Sequence, residues 1–158
     1  RIGAVSCGIY PMDLWHRIVN EYDIDAALVH NHYCLNDLRL LELLPRAREK
    51  HIGVINGSPL GSGLLTDRGP APWHPASPDD RATFRHAAEF CRQHGTNISK
   101  LALQFSSQHP DIPTTLFSSA NAETVQRNVE WHAEPCDVTL LQQVTQMLRP
   151  VFNQQWNY

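Results

Sequence analysis

Four short apolar runs, each ending in small polar residues, constrain this chain more than any other feature. They are Ile2–Ser6, Asp25–His30, Ile52–Ile55 and Thr114–Phe117. Their ends read Ser6-Cys7-Gly8, His30-Asn31-His32, Asn56-Gly57-Ser58 and Ser118-Ser119-Ala120-Asn121. Short apolar runs bounded by turn residues fit buried strands of a parallel sheet. Between them lie runs with helical spacing. Leu14, Trp15, Ile18 and Val19 follow Pro11, a residue tolerated in a first helical turn. Leu40, Leu41, Leu43, Leu44 and Ala47 mark a helix over Leu38–Lys50, with Pro45 as a candidate kink. Asp79–His94 reads as a helix with Gly95 at the C-cap position, and Ser99 is the expected cap of a helix over Lys100–Gln108. Ala122–Trp131 and Val138–Leu148 complete the helices. Strands alternating with helices imply βαβ units, an α/β fold and a parallel sheet. Ligands of such sheets meet the C-terminal strand ends.

Two architectures fit that order. One is a doubly wound sheet. The other is four consecutive units of an eight-unit (β/α)8 barrel. The chain starts at Arg1-Ile2-Gly3, inside an expected strand and without Met, which favours half a barrel and a piece of a longer protein. Its 158 residues are expected to form one partial-barrel domain. Such a half bares its inner strand face and two sheet edges, so alone it is expected to be poorly stable or self-associating.

A net charge of −3 with unclustered basic residues argues against a nucleic-acid partner. No apolar run approaches the ~18 residues that span a bilayer, so no membrane role is expected. Cys7, Cys34, Cys91 and Cys136 form no CxxC and read as free thiols of a reducing, cytoplasmic compartment.

The 23 residues of Asn56–Pro78 hold four glycines and five prolines, yet also Leu60, Leu64, Leu65, Trp73 and His74. A loop of that length with apolar anchors is expected to be functional rather than a linker. Gly61-Ser62-Gly63 within it can let backbone amides approach a phosphate, or can be a plain turn. Ser118–Asn128 places a polar turn before a helix, where amides bind anions and where Ser119 or Asn121 can equally serve as an ordinary cap. Trp73, Trp156 and Tyr158 line a pocket mouth or cover the end of the sheet. Strand alternation would put His30, His32 and Cys34 on one face, a partial metal set that needs a further ligand such as His74 or His109. No metal is expected from so incomplete a set.

The segments IGAVSCGIYPMDL, HNHYCLND, GVINGSPLGSGLLTDRGPAPWHPASP, ISKLALQFSSQHPDI, SSANAETVQRNVEW and PVFNQQW together cover most of the chain. In them it resembles the C-terminal half of an aldo-keto reductase, in the sugar dehydrogenase branch that acts on L-galactose, L-fucose and D-arabinose. The resemblance implies units five to eight of a (β/α)8 barrel and hydride transfer between a sugar and NAD, with NADP as the alternative. The family's Asp-Tyr-Lys-His group would lie in the missing N-terminal half, so no catalytic residue is assigned here. This chain alone is expected to be inactive.

The same resemblance implies a cofactor site. Ser6 would hold the nicotinamide amide, with Cys7 beside it. Ser58, Pro59, Leu60, Gly61, Ser62 and Gly63 would pass the pyrophosphate, with Asn31 on the neighbouring strand end. Ser118, Ser119, Asn121, Thr124, Arg127 and Asn128 would hold the adenosine end. Trp73, His74 and Trp156 would stand on the substrate side. Gly57 replaces the Tyr that many members stack on the nicotinamide. Thr124 and Ser118 stand where NADP-preferring members carry cations, which favours NAD. Phe117 replaces a usual Gly. Two other classes of function stay open: a non-catalytic nucleotide-binding subunit, and a metal-dependent hydrolase using His30 and His32.

Overall fold

A computed structural model of the chain describes residues 2–156; Tyr158 lies outside the described residues. Strands β1 (Ser6–Ile9), β2 (Ala26–His30), β3 (Gly53–Gly57) and β4 (Thr114–Leu116) pair in that order, all in parallel. The helices are α1 (Met12–Glu21), α2 (Leu44–Glu49), α3 (Pro78–Gln93), α4 (Ile98–Ser107), α5 (Ala122–Ala133) and α6 (Val138–Met147). Among the described residues no helix is long and apolar enough to cross a membrane.

The apolar residues of the strands divide by face. Ala27, Val29 and Val54 are buried with Trp15, Val19, Leu40, Leu43 and Ala47 from the helical side. Leu28, His30 and Ile55 are only half-buried, and Leu116 is 46% exposed. The sheet therefore has one covered face and one open face, whereas the apolar runs read as strands buried on both. A second core joins Phe84, Ala87 and Cys91 of α3, Ile98, Leu101 and Ala102 of α4, and Leu140 and Val144 of α6. Leu64 and Leu65 from the long loop pack into it.

Three departures from the sequence pattern have an identifiable contact or residue behind them. The first strand is Ser6–Ile9, not Ile2–Ser6. The Val5 carbonyl accepts from the amides of Asp25 and Ala26, and the Val5 amide donates to the Asp25 carboxylate at 2.7 Å. These contacts set Ser6 opposite Ala26, and the Trp15 indole donates to the Ile9 carbonyl at the strand's far end. Leu38–Lys50 is not one helix. A 3-10 turn over Arg39–Glu42 precedes α2, and Pro45 falls in the first turn of α2, where its missing N–H costs nothing. The cap of α4 is Asn97, whose side chain accepts from the Lys100 amide, while Ser99 donates to the Leu65 carbonyl. Gly95, with φ 75°, ends α3 as expected: its amide and that of Thr96 bond back to Arg92 and Cys91.

The loop after β2 is fixed by a buried carboxylate. Asp37 is 2% exposed and lies 3.2 Å from His32 Nδ1. Arg39 donates to both of its oxygens, from Nε at 3.1 Å and from Nη2 at 2.5 Å. The tail docks on the same loop. Asn153 accepts from the Leu38 amide and donates its own amide to the Asn36 carbonyl, and the Trp156 amide donates to the Tyr10 hydroxyl. Burial alone would raise the Asp37 carboxyl, but hydrogen bonds from His32 and Arg39 outweigh it and hold the group below the ordinary carboxylate value.

Removing the carboxylate leaves Arg39 without its buried partner. Asp37→Ala is expected to lower unfolding stability by about 3–5 kcal/mol, read by urea titration. Because the folded-state value is depressed, Asp37 contributes stability above pH ~4 that is lost as the pH falls through its folded value. The acid-induced loss of stability is expected to be shallower in Asp37→Asn than in the native chain.

Candidate functional site

A cleft of about 520 Å3 opens at the C-terminal ends of β2, β3 and β4. Its floor is the open face of the sheet at Leu28, His30 and Gly57. One wall is the turn Ser58, Pro59, Leu60, Ser62 and Gly63, with Thr66 beyond it. The other is Leu116, Phe117 and Ser118. None of these residues is Lys, Arg, Asp or Glu.

The wall after β3 is built from left-handed backbone. Gly61, Ser62 and Gly63 have φ of 56°, 52° and 95°, and Ser58 has φ 61°. A Cβ on Gly63 would lie 3.1 Å from Pro70 Cα, so glycine is required there by both space and torsion. Asn31, at φ 59°, turns the chain at the end of β2. Its amide donates to the Gly57 carbonyl and its Nδ2 donates to Ser62 Oγ at 2.8 Å. Ser58 and Ser62, non-glycine residues held left-handed, thus line the cleft, and Asn31, equally left-handed, bonds to its wall. Such conformations cost about 1 kcal/mol or more each, and they persist where the surrounding structure imposes them.

The amides of Gly61 and Gly63 do not face the cleft as free donors. They close the turn by donating to the carbonyls of Ser58 and Leu60. The polar edge of this wall is therefore hydroxyl. Ser62 Oγ accepts from Asn31, which leaves the Ser62 hydroxyl hydrogen available to a ligand.

The turn before α5 is capped in the ordinary way. Asn121 accepts from the Thr124 amide, and Ser119 accepts from the Asn121 amide. Arg127 lies 5.0 Å over the Trp131 ring and reaches Thr124 Oγ1 at 3.4 Å, so its charge runs along α5. Asn128 is buried and lines a separate hollow with Phe117, Ser107 and His132.

Several expected site residues lie elsewhere. Ser6 and Cys7 begin β1, at the sheet end opposite the cleft, because the Val5–Asp25 contacts set that register. His74 and Trp156 do not line the cleft; both are buried, with rings meeting edge-on at 5.4 Å. Trp73 is 68% exposed and is not part of the cleft wall. His30, His32 and Cys34 diverge because Asn31 breaks the strand alternation. His30 faces the cleft. His32 is held between Asp37 and the Tyr10 carbonyl, with its ring stacked on Tyr10. Cys34 is buried, which with Asp37 nearby pushes its thiol up to about 12. Among the described residues no three His, Cys, Asp or Glu side chains gather to hold a metal.

Arg81 carries a role that residue pattern did not reveal. Its guanidinium donates to the carbonyls of Ala76, Ala71, His74 and Pro70, pinning the far half of the long loop to α3. The visible signal was the capping box Ser77–Asp80 just before it, which fixes where α3 and hence Arg81 begin.

Known proteins resemble this chain in sequence and in fold. A model of the Aldo/keto reductase family matches residues 1–149. The chain is 37% identical over 153 residues to L-galactose dehydrogenase of Arabidopsis thaliana, covering 92% of this chain and 48% of that protein. It thus spans about half the length of this relative. Among solved structures, the holo form of aldo-keto reductase AKR11C1 from Bacillus halodurans superposes with a TM-score of 0.63 at 21% identity. That match covers 93% of this chain and 51% of the other. The apo form gives the same TM-score at 22% identity. At these identities the structural likeness speaks for the fold.

Arg81→Met keeps the aliphatic stem and loses the four carbonyl contacts. It is expected to cost about 2 kcal/mol or more and to speed protease cleavage within residues 66–78, read by limited proteolysis. Burial, with the Arg81 charge adding to it, holds His74 below the usual histidine value. The unfolded chain therefore binds a proton near pH ~6.5 that the folded chain resists, and stability present above that pH declines below it. His74→Phe is expected to flatten this decline in urea titrations between pH ~7.5 and ~5.5.

Proposed function

We propose a function from a fixed premise: the chain belongs to the aldo/keto reductase family. Its cleft is the dinucleotide part of an NAD-dependent sugar dehydrogenase, and its four strand–helix units are units five to eight of a (β/α)8 barrel. The observation that carries this reading is the convergence of Ser58–Gly63 and Phe117–Ser118 on one cleft at the C-terminal ends of parallel strands. That is where ligands of such sheets bind. The relative named L-galactose dehydrogenase supports a hexose or related sugar as substrate.

The residues present fit a dinucleotide. The walls offer hydroxyls and apolar carbon, without carboxylates to repel phosphate. Bound NAD would supply the hydride acceptor. The part played by this chain is to hold and orient it. Ser58 and Ser62 would face the pyrophosphate, Leu60 and Pro59 would pack beside it, and Ser118 with the start of α5 would meet the adenosine. Thr124 stands half-buried at that helix start with no cation beside it other than Arg127, which is drawn towards Trp131. A ribose 2′-hydroxyl suits this surface better than a 2′-phosphate. No side chain here is assigned to proton transfer, so turnover would need residues this chain does not carry.

Fluorescence titration with NADH tests the reading directly. Saturable binding by the chain, without sugar oxidation, is the expected outcome; absence of binding overturns it. Thr124→Arg is expected to raise affinity for NADPH relative to NADH several-fold, and an unchanged ratio counts against the assigned adenosine end.

A further inference from the structure

The sheet ends in two free edges. Among the described residues β1 pairs with β2 alone and β4 with β3 alone. Its open face carries Leu28, Ile55 and Leu116. Unpaired strand edges and a bare apolar face are features that a folded chain ordinarily hides from water.

The exposed apolar side chains are not scattered. Among the described residues, all the large ones but Trp73 and Val138 lie in or just before the first unit, β1–α1, or in the last, β4–α5. α1 buries Met12, Trp15 and Val19 and leaves Leu14 and its capping Tyr22 exposed. α5 has twelve residues and buries Asn128 alone, with Val125 and Val129 exposed one turn apart. A hollow of about 490 Å3 follows the outer edge of β1, lined by Val5, Leu14, Ile18 and Tyr22. A second, of about 300 Å3, follows β4, lined by Pro113, Phe117 and Val129. Each edge thus has an unpaired strand, a hollow and a bare helix.

We propose that these edges meet in a second copy of this chain. β4 of each copy pairs with β1 of the other, α5 packs against the partner's α1, and the two open faces close on each other as the interior of one eight-stranded barrel. This rests on the half-barrel reading given above. Three observations favour a second copy as the occupant. The strands run β1-β2-β3-β4 in parallel, so the step from β1 to β2 is the step from β4 to a partner's β1. A twofold axis along the barrel keeps every strand parallel, repeats the seam twice and leaves no edge free. Four strands from each copy make eight, the number at which inward side chains just fill a barrel. The chain covers 51% of the solved relative, so what it lacks of that fold is a piece of its own size.

Light-scattering mass measurement of the full chain across a dilution series tests this. A dimer is expected. A monomer at every concentration overturns the proposal, and so do open-ended larger assemblies, which would show that the seam does not close. Leu14→Lys and Val129→Glu change exposed sites at opposite edges, and each is expected to raise the dimer dissociation constant about 10-fold or more, since each places a charge in an apolar seam. An equimolar mixture of the two variants is expected to recover a dimer, with one native seam and one that sets Lys against Glu. A dimer sensitive to only one of the two changes is joined through a single edge and overturns the proposal. Should a variant fail to fold, the mass of the native chain decides. NADH binding by a monomeric native chain overturns the proposal and leaves the dinucleotide reading standing; a dimer that binds no NADH does the reverse.

Discussion

The buried carboxylate of Asp37 is the interaction on which the rim of this structure depends. A lone ionised carboxylate in a dry site is prohibitively unfavourable, so the fold is obliged to bring donors to it. Arg39 supplies a two-oxygen contact and His32 a ring nitrogen. Both lie in the same loop, which therefore cannot move without breaking the set. The loop in turn offers the Leu38 amide and Asn36 carbonyl to Asn153, so the tail has a single seat. Once seated, Trp156 covers the helical core and meets His74 of the long loop. One charge thus connects the end of β2, the tail and the loop that follows β3.

The cleft beside this hub is shaped by backbone more than by side chains. Asn31 and Ser58 both turn left-handed immediately after their strands, and the Asn31–Ser62 contact links the two turns. Rigid hydroxyl and amide placement on turns held by a sheet is what a binding surface for a polar, elongated ligand requires. The open sheet face below it belongs to the same logic. Leu28, His30, Ile55 and Leu116 are too apolar for a surface meant for water and too sparsely covered for a core.

Much of this was legible in the residues. Apolar periodicity located three of four strands and most helices, because it reports burial against a neighbouring layer and that layer exists. The polar ends of the second, third and fourth runs, with Gly61–Gly63, marked the cleft; the first run's end did not. The misplacements share a cause: each was decided by a contact distant in sequence. Ile2–Ser6 looks like a strand, but only the Asp25 contacts reveal where pairing begins. Asn97 and Ser99 are both competent caps, and Leu65 takes the second. His74 and Trp156 have the chemistry of a pocket mouth, yet their sequence separation hid that they pack on each other. Gly57 was read for the ring it lacks, when its neighbour across the ladder fills that space.

A dinucleotide-binding cleft with no cation among its lining residues would select by what it withholds. Binding a phosphate from water costs its hydration, and a nearby guanidinium or ammonium is the strongest compensation a protein can offer. Hydroxyls and amide dipoles compensate less, so each further charge on a ligand is matched less well than the last. A pyrophosphate facing Ser58 and Ser62 would be within reach of such groups. A third phosphate on the ribose would meet Thr124 and Ser118, with Arg127 engaged along its own helix by Trp131. The discrimination would then lie in the cost of leaving a charge unpaired. That cost is a larger lever than any hydrogen bond the smaller ligand could add.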